Sequence, residues 1–318
     1  MIKRLLVLSM LLVAIAACPG VFAADPAGRA QKKPVLVCST TQVADFARQV
    51  VGDRCVVQCI LAPGADPHTY LPTPGDEKMV RGADLCLQNG LHLEGNNWMG
   101  KLAKDAGKPL IVCADGIPPI EVEYGGNRVS DPHAWFSPRN AAVYVNNIVR
   151  AISETDPAGR EEYEARTRLY LQTLRVLDGW IREQVNRIPP QQRILVTSHD
   201  AFNYFCREYH FNAKQGYLSL APVGWSTGSE VGAGMTPERR KQVIESIRQF
   251  GAPAVFVETS VNPKLIREIA LEAGVEIGGE LYSDSMGKAG SAGETYVGMM
   301  RENVITITNS LSRKAEKR

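Results

Sequence analysis

Three histidines and one aspartate stand where a folded chain can do chemistry. His133 lies in "SDPHAWFSP", just before a helix start with Ser137 as N-cap and Pro138 at the first helical position. His68 lies in "LAPGADPHTY", a few residues past an apolar run ending near Leu61. His199 follows "RILVTS" directly, and Asp284 follows "GGELYS". Each lies past the carboxyl end of a strand-like run, where α/β sheets bind ligands. Neutral imidazoles and a carboxylate are a donor set for a borderline divalent ion such as zinc. Calcium and magnesium take oxygen ligands instead. Four protein ligands leave little room for a reactive water, so the set reads as a place that holds a metal. The residues alone leave a second reading open, in which each histidine is hydrogen-bonded within its own loop.

An enzymatic reading would rest on Ser198-His199-Asp200. Adjacent residues rarely converge on one proton path, and a nucleophile needs an oriented base. No G-x-S-x-G, H-E-x-x-H or phosphate-loop motif is present. Asp66 and Asp131 each precede a candidate ligand by two positions, and Asp200 follows one. Each can orient a ring or cap a turn. Glu230, in "GWSTGSEVGAG", can face the cleft or a membrane partner. Trp135 packs on the His133 loop or fills core. His92 and His210 read as ordinary loop or helix-end residues.

The elements that must position these groups alternate. "PVLVCST", "CVVQCILA", "LCLQNG" and "PLIVCAD" read as strands separated by helices, and the segment "DGIPPIEVEYGGNRV" as a loop. The rhythm resumes with "RILVTSH", "PAVFVET" and "VEIGGELYSD" as strands. "TPERRKQVIESIRQFG", capped by Thr236, and "NPKLIREIALEAG", opened by Asn262 and Pro263, are helices, and a last helix covers "ETYVGMMRENVITITNSLS". Near-continuous apolar strands argue for parallel sheets covered by helices. Between the halves, residues 161–187 place Tyr163, Tyr170, Leu174, Leu177, Ile181 and Val185 on one helical face, and "IPP" stops the run. The expected fold is α/β: two lobes, 32–157 and 190–318, bridged by one long helix within 158–189.

The chain has 318 residues, with 36 Lys+Arg against 34 Asp+Glu and no basic tract, which excludes nucleic acid as a partner. "MIKR" followed by the apolar run Leu5–Ala17 is an export signal, too short to span a bilayer comfortably. Two exits are open: cleavage after Ala23, giving a signal peptide of residues 1–23, or lipidation of Cys18 in "IAAC". Cys38, Cys55, Cys59, Cys86, Cys113 and Cys206 form no C-x-x-C, and most lie in strand-like runs as small apolar residues. Export permits a disulfide, and Cys38 with Cys55 or Cys59 is open to it if the first two strands are neighbours.

The segments "PGADPHTYLPTPGDEKMVRGADLCLQNGLHLEG", "SDPHAWFSPRNA", "LVTSHDAFNYF" and "ELYSDSMG" together resemble the periplasmic metal-binding proteins of zinc and manganese ABC importers, a cluster that includes lipoprotein adhesin-like members. The resemblance spans nearly the whole chain after the export signal. It implies His68, His133, His199 and Asp284 as ligands, two α/β lobes joined by a long helix, and a monomer with no enzymatic activity. It implies one transported ion, delivered in the periplasm or at the outer face of the membrane to a permease with a cytoplasmic ATPase. Manganese members of the family often carry a carboxylate where His199 stands, so zinc is the expected cargo and manganese the alternative. Zinc-specialised members have a long histidine-rich loop before the second ligand, which this chain lacks. A metal-containing surface adhesin and a metal-dependent hydrolase are the competing functions.

Overall fold

In the computed structural model, residues 32–124, 127–222 and 236–312 are described below. The export signal, Cys18 and Glu230 lie outside these residues. The chain divides into Met1–Lys32 and a compact unit, Lys33–Arg318; the elements below belong to the second.

Its first half comprises β1 (Val35–Cys38), α1 (Thr41–Val51), β2 (Val56–Cys59), α2 (Pro74–Arg81), β3 (Leu85–Gln88), α3 (Trp98–Asp105) and β4 (Leu110–Val112). The four strands form a parallel sheet in the order β2-β1-β3-β4. The central strand β3 is buried throughout, whereas the edge strand β2 alternates between exposed and half-buried. Helix α2 starts on a capping box in which Thr73 and Asp76 satisfy each other's backbone amides. Cys38 and Cys59 are register neighbours on β1 and β2, yet all six described cysteines are free thiols.

The segment expected as a loop before His133 carries an antiparallel hairpin, β5 (Glu121–Tyr124) with β6 (Asn127–Ser130). Its alternating Glu-Val-Glu-Tyr run is the period-two signal that the loop reading passed over. Helix α4 (Pro138–Thr155) follows with Pro138 at its first position. Ser137 caps it by position: its carbonyl accepts the Ala141 amide at 2.9 Å, but its hydroxyl makes no capping bond.

Helix α5 (Arg160–Val185) runs 26 residues without interruption, about 39 Å at 1.5 Å per residue. All six residues expected on its inner face are buried, and Thr167 joins them. It packs against α1, α4 and α9 (Tyr296–Ser312), so it touches both halves. One continuous apolar core runs from β1 and α1 through α5 to α9 and the inner side of β7 (Ala254–Glu258). Phe46 on α1 packs at a tilt against Tyr296 of α9, with ring centroids 4.8 Å apart.

The second half adds α6 (Asn203–Tyr209), α7 (Pro237–Phe250), α8 (Lys264–Ala273) and β8 (Glu276–Leu281), with β7 and β8 parallel. A separate apolar cluster joins α7 and α8 to the outer side of β7. The expected strand "RILVTSH" is reduced to an extended segment with one parallel bridge, Val196 to Leu220, and one bond from the Phe256 amide to the Val196 carbonyl. Beyond that bridge the Asn212 side chain intervenes, accepting the Leu195 amide at 2.8 Å and donating to the Leu218 carbonyl at 2.8 Å. A bulge in β8 places Gly278 and Gly279 under α9. A Cβ on Gly278 would lie 2.5 Å from Ser310 Oγ and 2.7 Å from the Phe256 ring.

Candidate metal centre

His68 reaches the site from the loop after β2. The Asp66 carboxylate shapes that loop as a turn cap, accepting the His68 amide at 2.8 Å and the Thr69 hydroxyl at 3.1 Å. Trp98 Nε1 donates to the Pro67 carbonyl at 3.0 Å and ties the loop to α3. His133 follows β6. Asp131 Oδ1 accepts the His133 amide at 2.9 Å and lies 2.8 Å from its Nδ1. One carboxylate oxygen thus fixes both the turn and the ring. Trp135 packs edge-on against His133, with centroids 5.3 Å apart.

His199 is held by a residue that sequence neighbours did not suggest. Glu258, at the carboxyl end of β7, places Oε2 2.6 Å from His199 Nδ1, and its Oε1 accepts the amides of Ser198 and His199 at 2.7 and 2.9 Å. The signal was there: "PAVFVE" ends an apolar strand on a carboxylate, the same placement that singled out the other residues. Asp200 turns away and pairs with Arg239 at 2.9 Å. Ser198-His199-Asp200 therefore does not assemble as a nucleophile, base and orienting acid. Burial pushes the Asp200 carboxyl up to about 7 against the pull of Arg239.

The four predicted residues converge. Their ligand atoms all lie within 4.8 Å of one another, and the set is buried. Asp284 Oδ1 is 3.2 Å from His133 Nε2; its Oδ2 is 3.1 Å from His199 Nε2 and 3.7 Å from His68 Nε2. The ring centroids are 5.1 to 6.0 Å apart. For His133 and His199, Nδ1 faces a carboxylate and so carries the proton, leaving Nε2 to face the centre.

Electrostatics separates the three rings. Burial disfavours the charged form of all three. For His133 the Asp131 and Asp284 carboxylates outweigh it and the net shift is upward. For His199 Asp284 and Glu258 do so, and the ring is held well above the usual range. For His68 burial outweighs the pull of Asp284, and the neighbouring His133 and His199 rings add to it, so its pKa is pushed down to about 3. Burial would raise Asp284, but the His199 and His133 rings hold it well below the ordinary carboxylate range. Buried charges of this kind persist only when paired or when they coordinate a metal. His92 and His210 lie elsewhere, each at a left-handed turn position, with φ of 64° and 60°.

Two parallel-stranded halves, a long connecting helix and a buried His3Asp centre between strand ends define a metal-binding protein. Residues 36–310 match the family described as zinc-uptake complex component A, periplasmic, and the chain belongs to that family. The iron-binding protein YfeA of Yersinia pestis is 37% identical over 280 residues, 87% of this chain and 86% of that protein. The manganese-binding lipoprotein MntA of Halalkalibacterium halodurans is 36% identical over 282 residues, 87% of this chain and 88% of that protein. Among solved structures, the periplasmic zinc-binding protein TroA of Treponema pallidum superposes with a TM-score of 0.80 at 32% identity, covering 88% of this chain and all of that one.

Proposed function

We propose that His68, His133, His199 and Asp284 bind a single divalent transition ion outside the cytoplasm, zinc in preference to manganese, for delivery to the permease of an ABC importer with a cytoplasmic ATPase. The observation that carries this reading is the convergence of three imidazole nitrogens and one carboxylate at one buried point. The relatives' names support extracytoplasmic capture of transition metals and differ in the metal, so the preference for zinc rests on the donor set. Three nitrogen donors with one carboxylate suit zinc, and divalent affinity rises along the first row from manganese. The lobes 32–157 and 190–318 each supply two ligands, and the helix within 158–189 holds them in register. Lipidation at Cys18 is the exit from export that fits a relative named as a lipoprotein.

Elemental analysis of the purified protein, with competition titrations for zinc and manganese, tests the reading. One ion per chain is expected, with zinc bound more tightly. Substitution of any one of the four ligands by alanine is expected to weaken binding at least about ten-fold. Two tight ions, or unchanged affinity in the alanine variants, would refute the site.

A further inference from the structure

Asp284 comes from the second half of the chain, and the bend that carries it, though Ser283 Oγ meets Ser260 Oγ of that half at 2.8 Å, is also held by the first half. Ser283 and Met286 flank the bend at the positions whose carbonyl and amide close a tight turn on each other. Here the Met286 amide donates to Thr41 Oγ1 at 2.9 Å. The Thr41 hydroxyl donates to Gln42 Oε1 at 3.0 Å, and Gln42 Nε2 donates to the Ser283 carbonyl at 3.0 Å. Two side chains from the first turn of α1 are thus inserted into the bend and bridge its ends. The direction of every bond is fixed: the Gln42 amide must face one way to take the hydroxyl and give to the carbonyl.

Further bonds tie the two halves together around the bend. Ser285 Oγ accepts the Gly64 amide, from the loop that carries His68, at 2.7 Å. Asp45, one turn along α1, accepts the Tyr296 amide at the start of α9 at 2.9 Å. Tyr296 OH donates to the Trp135 carbonyl, beside His133, at 2.7 Å. Thr41, Gln42 and Asp45 are 7%, 1% and 4% exposed, an unusual degree of burial for a polar helix face. A helix N-terminus needs only one cap, and Thr40 already supplies it by accepting the Val43 amide. The buried polar face of α1 is therefore surplus to the helix and fits the Asp284 bend.

We infer that Thr41 and Gln42 are positioning residues for the metal: by bridging Ser283 to Met286 they set where the Asp284 carboxylate sits relative to His68 and His133. This rests on the four-ligand reading above. It makes metal affinity depend on the register between α1 and the 283–286 bend.

The test uses the full chain with Gln42→Met, which keeps the length of the side chain and removes both amide functions. Zinc affinity is measured by chelator competition, the visible absorption of the cobalt-substituted protein reports ligand geometry, and calorimetry gives the Tm of the metal-free form. Zinc affinity about ten-fold weaker, with a shifted cobalt spectrum, is expected, as for other residues that orient ligands. Affinity within about two-fold of wild type and an unchanged cobalt spectrum, whatever the Tm, would overturn the inference. Thr41→Val removes the same bridge at its other end and decides the matter, by the same two readouts, if Gln42→Met does not fold. Asp284→Ala separates the failures. If it binds zinc like wild type, the four-ligand reading is wrong. If it loses zinc while both bridge variants behave as wild type, only the positioning role is wrong.

Discussion

Glu258 and His199 are clamped together: one carboxylate oxygen lies 2.6 Å from the ring's Nδ1 while the other takes the amides of Ser198 and His199. The same residue therefore sets the backbone turn and the ring orientation. Glu258→Leu removes both. It is expected to weaken zinc binding by about 10- to 100-fold, the usual effect of losing a partner behind a ligand. Glu258→Gln keeps the shape and one acceptor and is expected to lose less. Competition titrations on the two variants check the order, and equal, wild-type affinities would dissociate Glu258 from the site.

Protons and metal compete for the same nitrogens. In the metal-free protein the carboxylates hold His133 and His199 above the usual histidine range. Binding is therefore expected to expel protons from their Nε2 atoms, since a ligand nitrogen must be deprotonated. Calorimetric titration in two buffers of different ionisation enthalpy measures the number. A value of zero would mean that neither ring was protonated or that neither is a ligand.

The same shifts have opposite consequences for stability. A raised histidine pKa stabilises the metal-free fold fully below the unfolded value of about 6.5, and this contribution fades as pH rises through the folded pKa. His68, pushed down to about 3, works the other way and costs stability as pH falls from about 6.5 toward that value. Metal adds stability only where it outcompetes protons. The Tm difference between zinc-loaded and metal-free protein is thus expected to narrow steadily from pH 8 to pH 5. Paired thermal scans across this range check it; a constant difference would contradict histidine ligation.

Much of this was legible in the sequence, for a physical reason. His68 and Asp284 follow strands of parallel sheets, whose carboxyl ends gather ligands, whereas His133 follows the antiparallel strand β6 and His199 an extended segment beside β7. The inner face of α5 was readable because a long amphipathic helix declares its period. The supporting groups were not. Glu258 lies 59 residues from His199, and Gln42 lies 241 residues from Ser283, so no local pattern joins them. Asp200, the near neighbour, pairs with Arg239 instead. The segment at 194–197 looked like a strand because it is mostly apolar, but the Asn212 side chain stands between the Leu195 amide and the Leu218 carbonyl, next to the single bridge.

Packing between α9 and β8 offers a stability test that leaves the ligands alone. A methyl group on Gly278 would lie 2.5 Å from Ser310 Oγ and 2.7 Å from the Phe256 ring. Gly278→Ala is expected to destabilise the fold by about 1–3 kcal/mol, the cost of overpacking a filled interface. Denaturant unfolding of the metal-free protein measures it. The ratio of zinc to manganese affinity is expected to stay at the wild-type value.

The metal preference itself turns on His199. Replacing it with glutamate exchanges a borderline nitrogen for a harder oxygen while three ligands remain, so the affinity ratio should move toward manganese by about ten-fold or more. The clamp complicates this single change. Glu258 is built to accept a proton from Nδ1, and a carboxylate at 199 has none to give. His199→Glu would place two buried acids side by side, a pair that cannot both ionise without a cation between them. The single variant is therefore expected to bind both metals more weakly and to lose zinc most. In His199→Glu/Glu258→Gln the amide can donate to the new carboxylate, so overall affinity should recover while the shift toward manganese persists. Competition titrations of wild type, single and double variants at one pH and ionic strength separate the two effects. Recovery without a change in the metal ratio would assign His199 to folding alone, and a ratio that moves in the single variant but returns in the double would assign the preference to Glu258.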